Sequence, residues 1–392
     1  MIIVDDEKCC ACRACVQACP QNAISITEDE YKFERISIDS SKCVGCDKCK
    51  RVCPMLNDKK NSTHFQCGAA YAIDEKCKFA GSSGGLFGIF ANNVIEKGGV
   101  VYGAAFDDEL NLKTTRAENK ADLNGLFKSK YLLCDTDDSF SLIKHDLDDN
   151  KIVLYCASPC QISGLLSYLN KSYNNLLCVD FICHGVGGQK QFRESVNYIE
   201  NKKKIKIKEF GFREKFTNAS SHYYYYYYKD LVTGEEKTKK DIYMTFPYYY
   251  AYCDRLTCRE ICYACPFASK ERVGDITIGD FHNINKFEPE IDRFAGVSMF
   301  ICNTTKGQDF FNLVRAKLYV KEFEISVLFD NNRFSGDEIL PQKRMKYLIG
   351  LSKNKYDDVV RKFFNYKLDW RYYYYKAPKW VRYWGNRIIR RS

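Results

Sequence analysis

Five cysteines fall within twelve positions at residues 9–20, CCACRACVQACP. Four of them, Cys9, Cys12, Cys15 and Cys19, follow C-x2-C-x2-C-x3-C, with Pro20 next. Cys43, Cys46, Cys49 and Cys53 repeat the pattern before Pro54, each 34 residues after its counterpart. Three thiolates at this spacing wrap one iron–sulfide cube, while the fourth cysteine of each run ligates the other cube. The expected sets are Cys9, Cys12, Cys15 and Cys53 for one 4Fe–4S cluster, and Cys43, Cys46, Cys49 and Cys19 for a second. Zinc sites usually pair two CxxC motifs without the trailing Cys-Pro, so two full copies of the ladder weigh against zinc or a disulfide knot. Cys10 falls outside the spacing and reads as a small buried hydrophobe.

The elements that must carry these thiols are short. The segments around Ile24–Ile26 and Ile36–Ile38 alternate like strands. With the two ladders they make a two-cluster ferredoxin module of bacterial type over residues 1–58, too small to be stable without its metal. Electrons move through such clusters singly, so the module reads as a wire whose end lies in the rest of the chain. The chain has 392 residues, 45% of them apolar, which is enough for a larger body with its own core. The N-terminus, MIIVDDEK, lacks a basic end followed by an apolar run. A cytoplasmic protein is expected, in which most of the 21 cysteines stay reduced. Of the net charge of +10, nine units lie in residues 361–392, which hold ten Lys or Arg and one Asp. The body is thus near neutral, and no nucleic-acid partner is expected.

Residues 59–66 are polar and read as a linker. Beyond them "CGAAYAI" reads as a strand and "GSSGGLFGIFANNVIEKG" as a helix led by Ser82, Ser83, Gly84 and Gly85. Small residues at a helix start let a phosphate approach free backbone N–H groups, although a plain glycine cap has the same pattern. "KIVLYCASPCQISGLLSYL" reads as a strand, a turn at Ser158-Pro159-Cys160 and a helix. "LLCVDFICHG" is a strand ending at Cys183, His184 and Gly185. Both put a cysteine at the C-terminal end of a buried strand, where open α/β sheets place ligands. "CDRLTCREICYACPFA" adds Cys253, Cys258, Cys262 and Cys265, and "RVGDITIGDF" a strand with an acidic turn at Gly279 and Asp280. Cys262 and Cys265 form a CxxC of metal-ligand type. Spacing leaves two ways to complete a site: the local set with Cys253 and Cys258, or the dispersed set with Cys160 and Cys183.

Seven short motifs then occur in order: "SSGGLF" (82–87), "KSKY" (128–131), "SPCQISGL" (158–165), "CHGV" (183–186), "CYACPFA" (262–268), "GDITIGDF" (274–281) and "GVS" (296–298). From about residue 67 to about 310 the chain resembles the coenzyme F420 hydrogenase/dehydrogenase beta-subunit family, which also includes 7-hydroxymethyl chlorophyll a reductase. The resemblance implies an α+β ferredoxin module followed by an α/β body, residues 67–340, that binds FAD and one further 4Fe–4S cluster. It favours the dispersed set Cys160, Cys183, Cys262 and Cys265, with Cys258 in reserve. It places Ser83, Gly84, Gly85, Lys128, Ser129, Lys130, Gly279 and Asp280 around the flavin. His184, next to a ligand, is the candidate to protonate the flavin or to hydrogen-bond a cluster sulfide. The chain departs from the family at Ala157-Ser158 (often Gly-Thr), at Leu132-Leu133-Cys134 after the KSKY element, and at His282 (often Trp).

The function implied is that of an iron–sulfur flavoprotein oxidoreductase. It would pass electrons between ferredoxin-type clusters and a flavin, and exchange them with a small two-electron organic substrate, deazaflavin-like or other. Its redox partner would be ferredoxin or a partner subunit. The alternative is an electron-transfer subunit that wires a separate catalytic partner. Residues 341–392 read as a basic aromatic tail carrying Trp370, Trp380 and Trp384. The tail is expected either to pack as a helix with a solvated basic face, or to lie on an anionic membrane surface or acidic partner. The run "YYYYYY" at 223–228 reads as an edge strand.

Overall fold

A computed structural model describes residues 3–57, 61, 63–215, 222–291, 296–331, 334–335 and 339–377. Trp380, Trp384 and part of the expected linker lie outside the described residues. The N-terminal module holds β1 (Ile24–Glu28) and β2 (Glu34–Ile38), antiparallel with Ile24 opposite Ile38. Each cysteine ladder carries one short helix, Ala14–Ala18 and Lys48–Arg51.

The body is built on β3 (Gln66–Ala72), β4 (Val100–Phe106), β5 (Leu112–Ala117), β6 (Val153–Ala157) and β7 (Leu176–Phe181). A separate sheet holds β8 (Ile205–Glu214), β9 (Tyr223–Asp230) and β10 (Glu236–Ile242). The main sheet is completed by β11 (Ile276–Asp280), β12 (Ser298–Cys302) and β13 (Leu318–Glu322). Its order is β13-β3-β12-β11-β7-β6-β4-β5. The four central strands, β11, β7, β6 and β4, are parallel, and the outer ones are antiparallel.

Because side chains alternate along a strand, the central strands feed two cores. Val101, Leu154, Leu177 and Val179 face the helices Leu86–Glu96 and Thr305–Val314. Val100, Tyr102, Tyr155 and Cys178 face the helices Ser139–Asp148 and Pro159–Leu169, and the same core takes in Cys10, Cys12 and Ala14 of the module. The module is therefore packed on one face of the main sheet. Polar contacts fix it there: Lys32 pairs with Glu194 at 2.7 Å, Arg259 with Glu34 at 3.5 Å, and Arg13 with Asp135. At Gly188 the two backbones meet so closely that a β-carbon would lie 2.3 Å from the Lys32 carbonyl oxygen.

The tyrosine run corrects one expectation. β9 is the central strand of its sheet, paired with β8 and β10 on either side. Tyr224 and Tyr226 are buried, and Tyr224 packs against Phe210 and Phe246. Alternation reports which face of a strand is buried but not how many neighbours it pairs with. The segment from residue 341 begins as part of the body: Tyr347, Leu348, Leu351, Val359 and Phe364 join its aromatic core. Only then come the helix Trp370–Lys376 and an exposed Trp370. Among the described residues no helix is long and apolar enough to cross a membrane.

Candidate functional site

Two thiol groups lie in the module. Cys19, Cys43, Cys46 and Cys49 line one small cavity beneath β1 and β2, with Ile24 and Ile38 as its apolar wall. Cys46 is the exposed member. Cys9, Cys12, Cys15 and Cys53 gather nearer the body. Burial pushes the Cys15 thiol up to about 12, and its neighbours Cys9, Cys53 and Cys49 push the same way. Cys49 thus stands close to both groups. Arg13 and Asp47, each just before a short ladder helix, adopt left-handed backbone (φ 63° and 55°) that turns the chain between successive thiols.

A third group forms where the main sheet ends. β6 stops at Ala157, Ser158 leads into a helix with Pro159 in its first turn, and Cys160 follows. β7 stops at Phe181, two residues before Cys183. Cys262 closes a short 3-10 turn, and Cys265 comes three residues later. Cys160, Cys183, Cys262 and Cys265 line one cavity of about 40 Å³, and Cys10 of the module lines it too. Burial raises the Cys183 thiol, with Cys262, Cys160 and Cys265 adding to the effect, and burial pushes Cys262 up to about 11. Cys258 and Cys253 are not part of this wall. Cys258 packs behind Gly185 (φ 102°), where an added β-carbon would lie 3.0 Å from its sulfur. Cys253 lies near Asp254, Arg371 and Arg213.

The four dispersed thiols suit a soft, positively charged inorganic cluster. Desolvation makes each thiolate costly unless iron takes up its charge. Among the described residues no three His, Cys, Asp or Glu side chains are close enough to hold a single ion. A buried ion pair, Arg272 to Asp180 at 2.9 Å, frames the site. Arg272 lines the cavity and also donates to the carbonyls of Phe267 (3.1 Å) and Ser269 (3.3 Å), tying down the chain after Cys265.

Next to it, across a common wall, is a larger cavity of about 250 Å³ at the C-terminal ends of the parallel strands. Ser158, Cys183, Gly185 and Val186 line both spaces. Ser83, Gly85, Lys128, Ser129, Lys130, His184, Gly279 and Asp280 all line the larger one. Gly84 does not: it backs onto β3 and β12, and its N–H donates to Ser298 Oγ at 2.9 Å. Charged side chains gather at the rim. Lys130 donates to the carbonyls of Gly125 and Phe127 at 2.8 and 2.6 Å, and burial pushes its ammonium down to about 7, against the opposing pull of Cys134 and Cys156. Arg213 pairs with Asp280 at 2.6 Å. Burial alone would raise the Asp280 carboxyl, but Arg213 overrides this and holds it at about 2. Lys128 pairs with Glu214.

Arg213, Glu214 and Tyr252 have no place in the motif series, yet Arg213 and Tyr252 line the cavity. Arg213 comes from the end of β8, in the separate three-stranded sheet, and reaches Asp280 at the end of β11. The one signal in the sequence is a charged Arg213-Glu214-Lys215 triplet directly after the apolar Phe210-Gly211-Phe212. The cavity combines apolar walls from Leu86, Phe87, Leu126 and Leu132 with serine hydroxyls, two lysines and an arginine at one side. This fits a flat aromatic ring joined to an anionic tail.

Residues 150–327 match the family described as the C terminus of the coenzyme F420 hydrogenase/dehydrogenase beta subunit. Residues 8–56 match the 4Fe–4S dicluster domain. No curated protein matches the chain. One solved structure, the xenon-derivatized F420-reducing NiFe hydrogenase complex from Methanosarcina barkeri, is similar with a TM-score of 0.43 at 14% identity, covering 76% of this chain and 92% of that one. The chain thus carries a segment similar to the 4Fe–4S dicluster domain, followed by one similar to the C terminus of the coenzyme F420 hydrogenase/dehydrogenase beta subunit.

Proposed function

We propose that the protein is an iron–sulfur flavoprotein oxidoreductase with three cluster sites in a row and a flavin site at the end. Cys19, Cys43, Cys46 and Cys49 would hold the outer cluster, Cys9, Cys12, Cys15 and Cys53 the inner one, and Cys160, Cys183, Cys262 and Cys265 the third. The larger cavity would hold FAD. When bound there, FAD supplies the link between one-electron carriers and a two-electron organic substrate.

The observation that carries this reading is the common wall of Ser158, Cys183, Gly185 and Val186 between the third thiol group and the larger cavity. The chain's own residues do the rest. Lys128, Lys130 and the N-terminus of the helix Leu86–Glu96 offer positive charge to an anionic tail. Asp280, fixed as a carboxylate by Arg213, and His184 line the larger cavity, where a proton would be exchanged with a two-electron acceptor. The apolar lining keeps water from the ring side.

The experiment is anaerobic reconstitution with iron, sulfide and FAD, followed by gel filtration. FAD retained at about one per chain, together with about twelve iron in three cubes of four, supports the reading. A chain that takes up iron and never retains flavin leaves only the wiring function.

A further inference from the structure

Cys10 belongs to neither ladder by spacing, yet it sits at the seam between module and body. It is buried, and it lines the cavity of Cys160, Cys183, Cys262 and Cys265. It packs in one cluster with Cys12 of the inner group and Cys160 of the third, close enough for its thiol to reach either sulfur. Cys12 neighbours Cys9 and Cys15 in the inner group, and Cys160 neighbours Cys183 and Cys262 in the third. One side chain therefore touches a member of each of two groups.

A thiol carries one hydrogen, whereas a sulfur that binds iron can only accept. With both groups loaded, Cys12 and Cys160 compete for the single S–H of Cys10. A hydrogen bond to a cluster sulfur favours the more negative, reduced state and so raises that cluster's potential. We propose that Cys10 is a positioning residue shared by the inner and third cluster sites. By hydrogen-bonding the sulfur of Cys12 or Cys160, it sets how an electron is distributed between them. It is not a ligand. This rests on reading both groups as cluster sites, and that reading fails separately if the wild-type chain holds fewer than about twelve iron.

The test uses the full chain, purified anaerobically, as wild type, Cys10→Ala and Cys10→Ser. Alanine and serine are nearly equal in volume and differ in the hydroxyl donor, so their comparison isolates the hydrogen bond. Iron is counted, and the distribution of one electron between the two clusters is read by EPR during a redox titration. Both variants should keep the wild-type iron. Cys10→Ala should change the distribution about tenfold, the scale of a hydrogen bond to a charged group, and Cys10→Ser should differ clearly from Cys10→Ala. Loss of about four iron in both variants makes Cys10 a ligand and overturns the proposal. So does a Cys10→Ala distribution equal to wild type, or an identical shift in both variants, which would report a cavity rather than a donor.

Discussion

Gly164 lies directly against Cys12: a β-carbon at Gly164 would sit 3.0 Å from Cys12 Sγ and 3.1 Å from its Cβ. Gly164 belongs to the helix Pro159–Leu169, which starts beside Cys160, so one helix borders two of the thiol groups. A methyl group at 164 must displace Cys12 or tilt the helix. Gly164→Ala should cost about 1–3 kcal/mol through overpacking and alter the EPR signal of the inner cluster while leaving the outer one unchanged. Gly350→Ala is the control. It lies in the helix Gln342–Lys353, where an added β-carbon meets Phe363 at an ordinary 3.4 Å, and it should be neutral or stabilising.

The choice of thiols at the third site is open to direct test. Cys160→Ala and Cys183→Ala should each lower the iron content by about four per chain and leave both module clusters intact. Cys253→Ala should leave the count unchanged, because Cys253 lies away from the cavity among Asp254, Arg371 and Arg213. The opposite pattern in an iron assay would restore the local set.

How far the sequence reveals this depends on range. The eight module thiols are legible because ligand spacing is local and repeats with its own helix. The third group is different. Cys160 and Cys262 are about a hundred residues apart in sequence, so spacing leaves two sets standing and only the fold brings one of them into a single wall. Arg213 is invisible to motif reading because its role depends on a strand of one sheet reaching the cavity at the end of another. β9 is misplaced for a related reason: alternation shows its buried face, whereas its central position comes from pairing with β8 and β10.

The Asp180–Arg272 pair is fully buried, and Asp180 also accepts from the N–H groups of Val273 and Gly274 at 3.2 and 2.9 Å. Asp180→Asn keeps the shape and leaves Arg272 uncompensated. It should destabilise the chain by about 3–5 kcal/mol in a denaturant titration. Breaking the exposed Lys120–Glu96 pair by Lys120→Ala should cost no more than about 1 kcal/mol. Equal effects for the two would mean that Arg272 is not held as described.

Lys130 should make binding of FAD pH-dependent. Burial pushes its ammonium down to about 7, so it is charged below that pH and neutral above it. Of the groups facing it, Cys134 and Cys156 pull its pKa up and Lys128 pushes it down. An anionic ligand favours the charged form, so binding takes up a proton above pH 7. FAD affinity should be flat below about pH 7 and fall by up to tenfold per pH unit above it. Riboflavin, which has no phosphate, should show little of this, and Lys130→Met should flatten the FAD curve. A titration curve for FAD that is flat between pH 6 and 9 in the wild type would remove Lys130 from the site.

Electrons are proposed to reach the flavin cavity through the wall formed by the third thiol group. Stopped-flow absorbance of the bound flavin tests it, with chemically reduced ferredoxin as donor and Cys265→Ala compared with the wild type. The variant should retain flavin, and its flavin should be reduced by ferredoxin at least tenfold more slowly. A direct hydride donor, where one is accepted, should reduce both proteins alike. Equal rates with ferredoxin in the two proteins, with flavin bound in both and the third cluster absent from the variant, would contradict it.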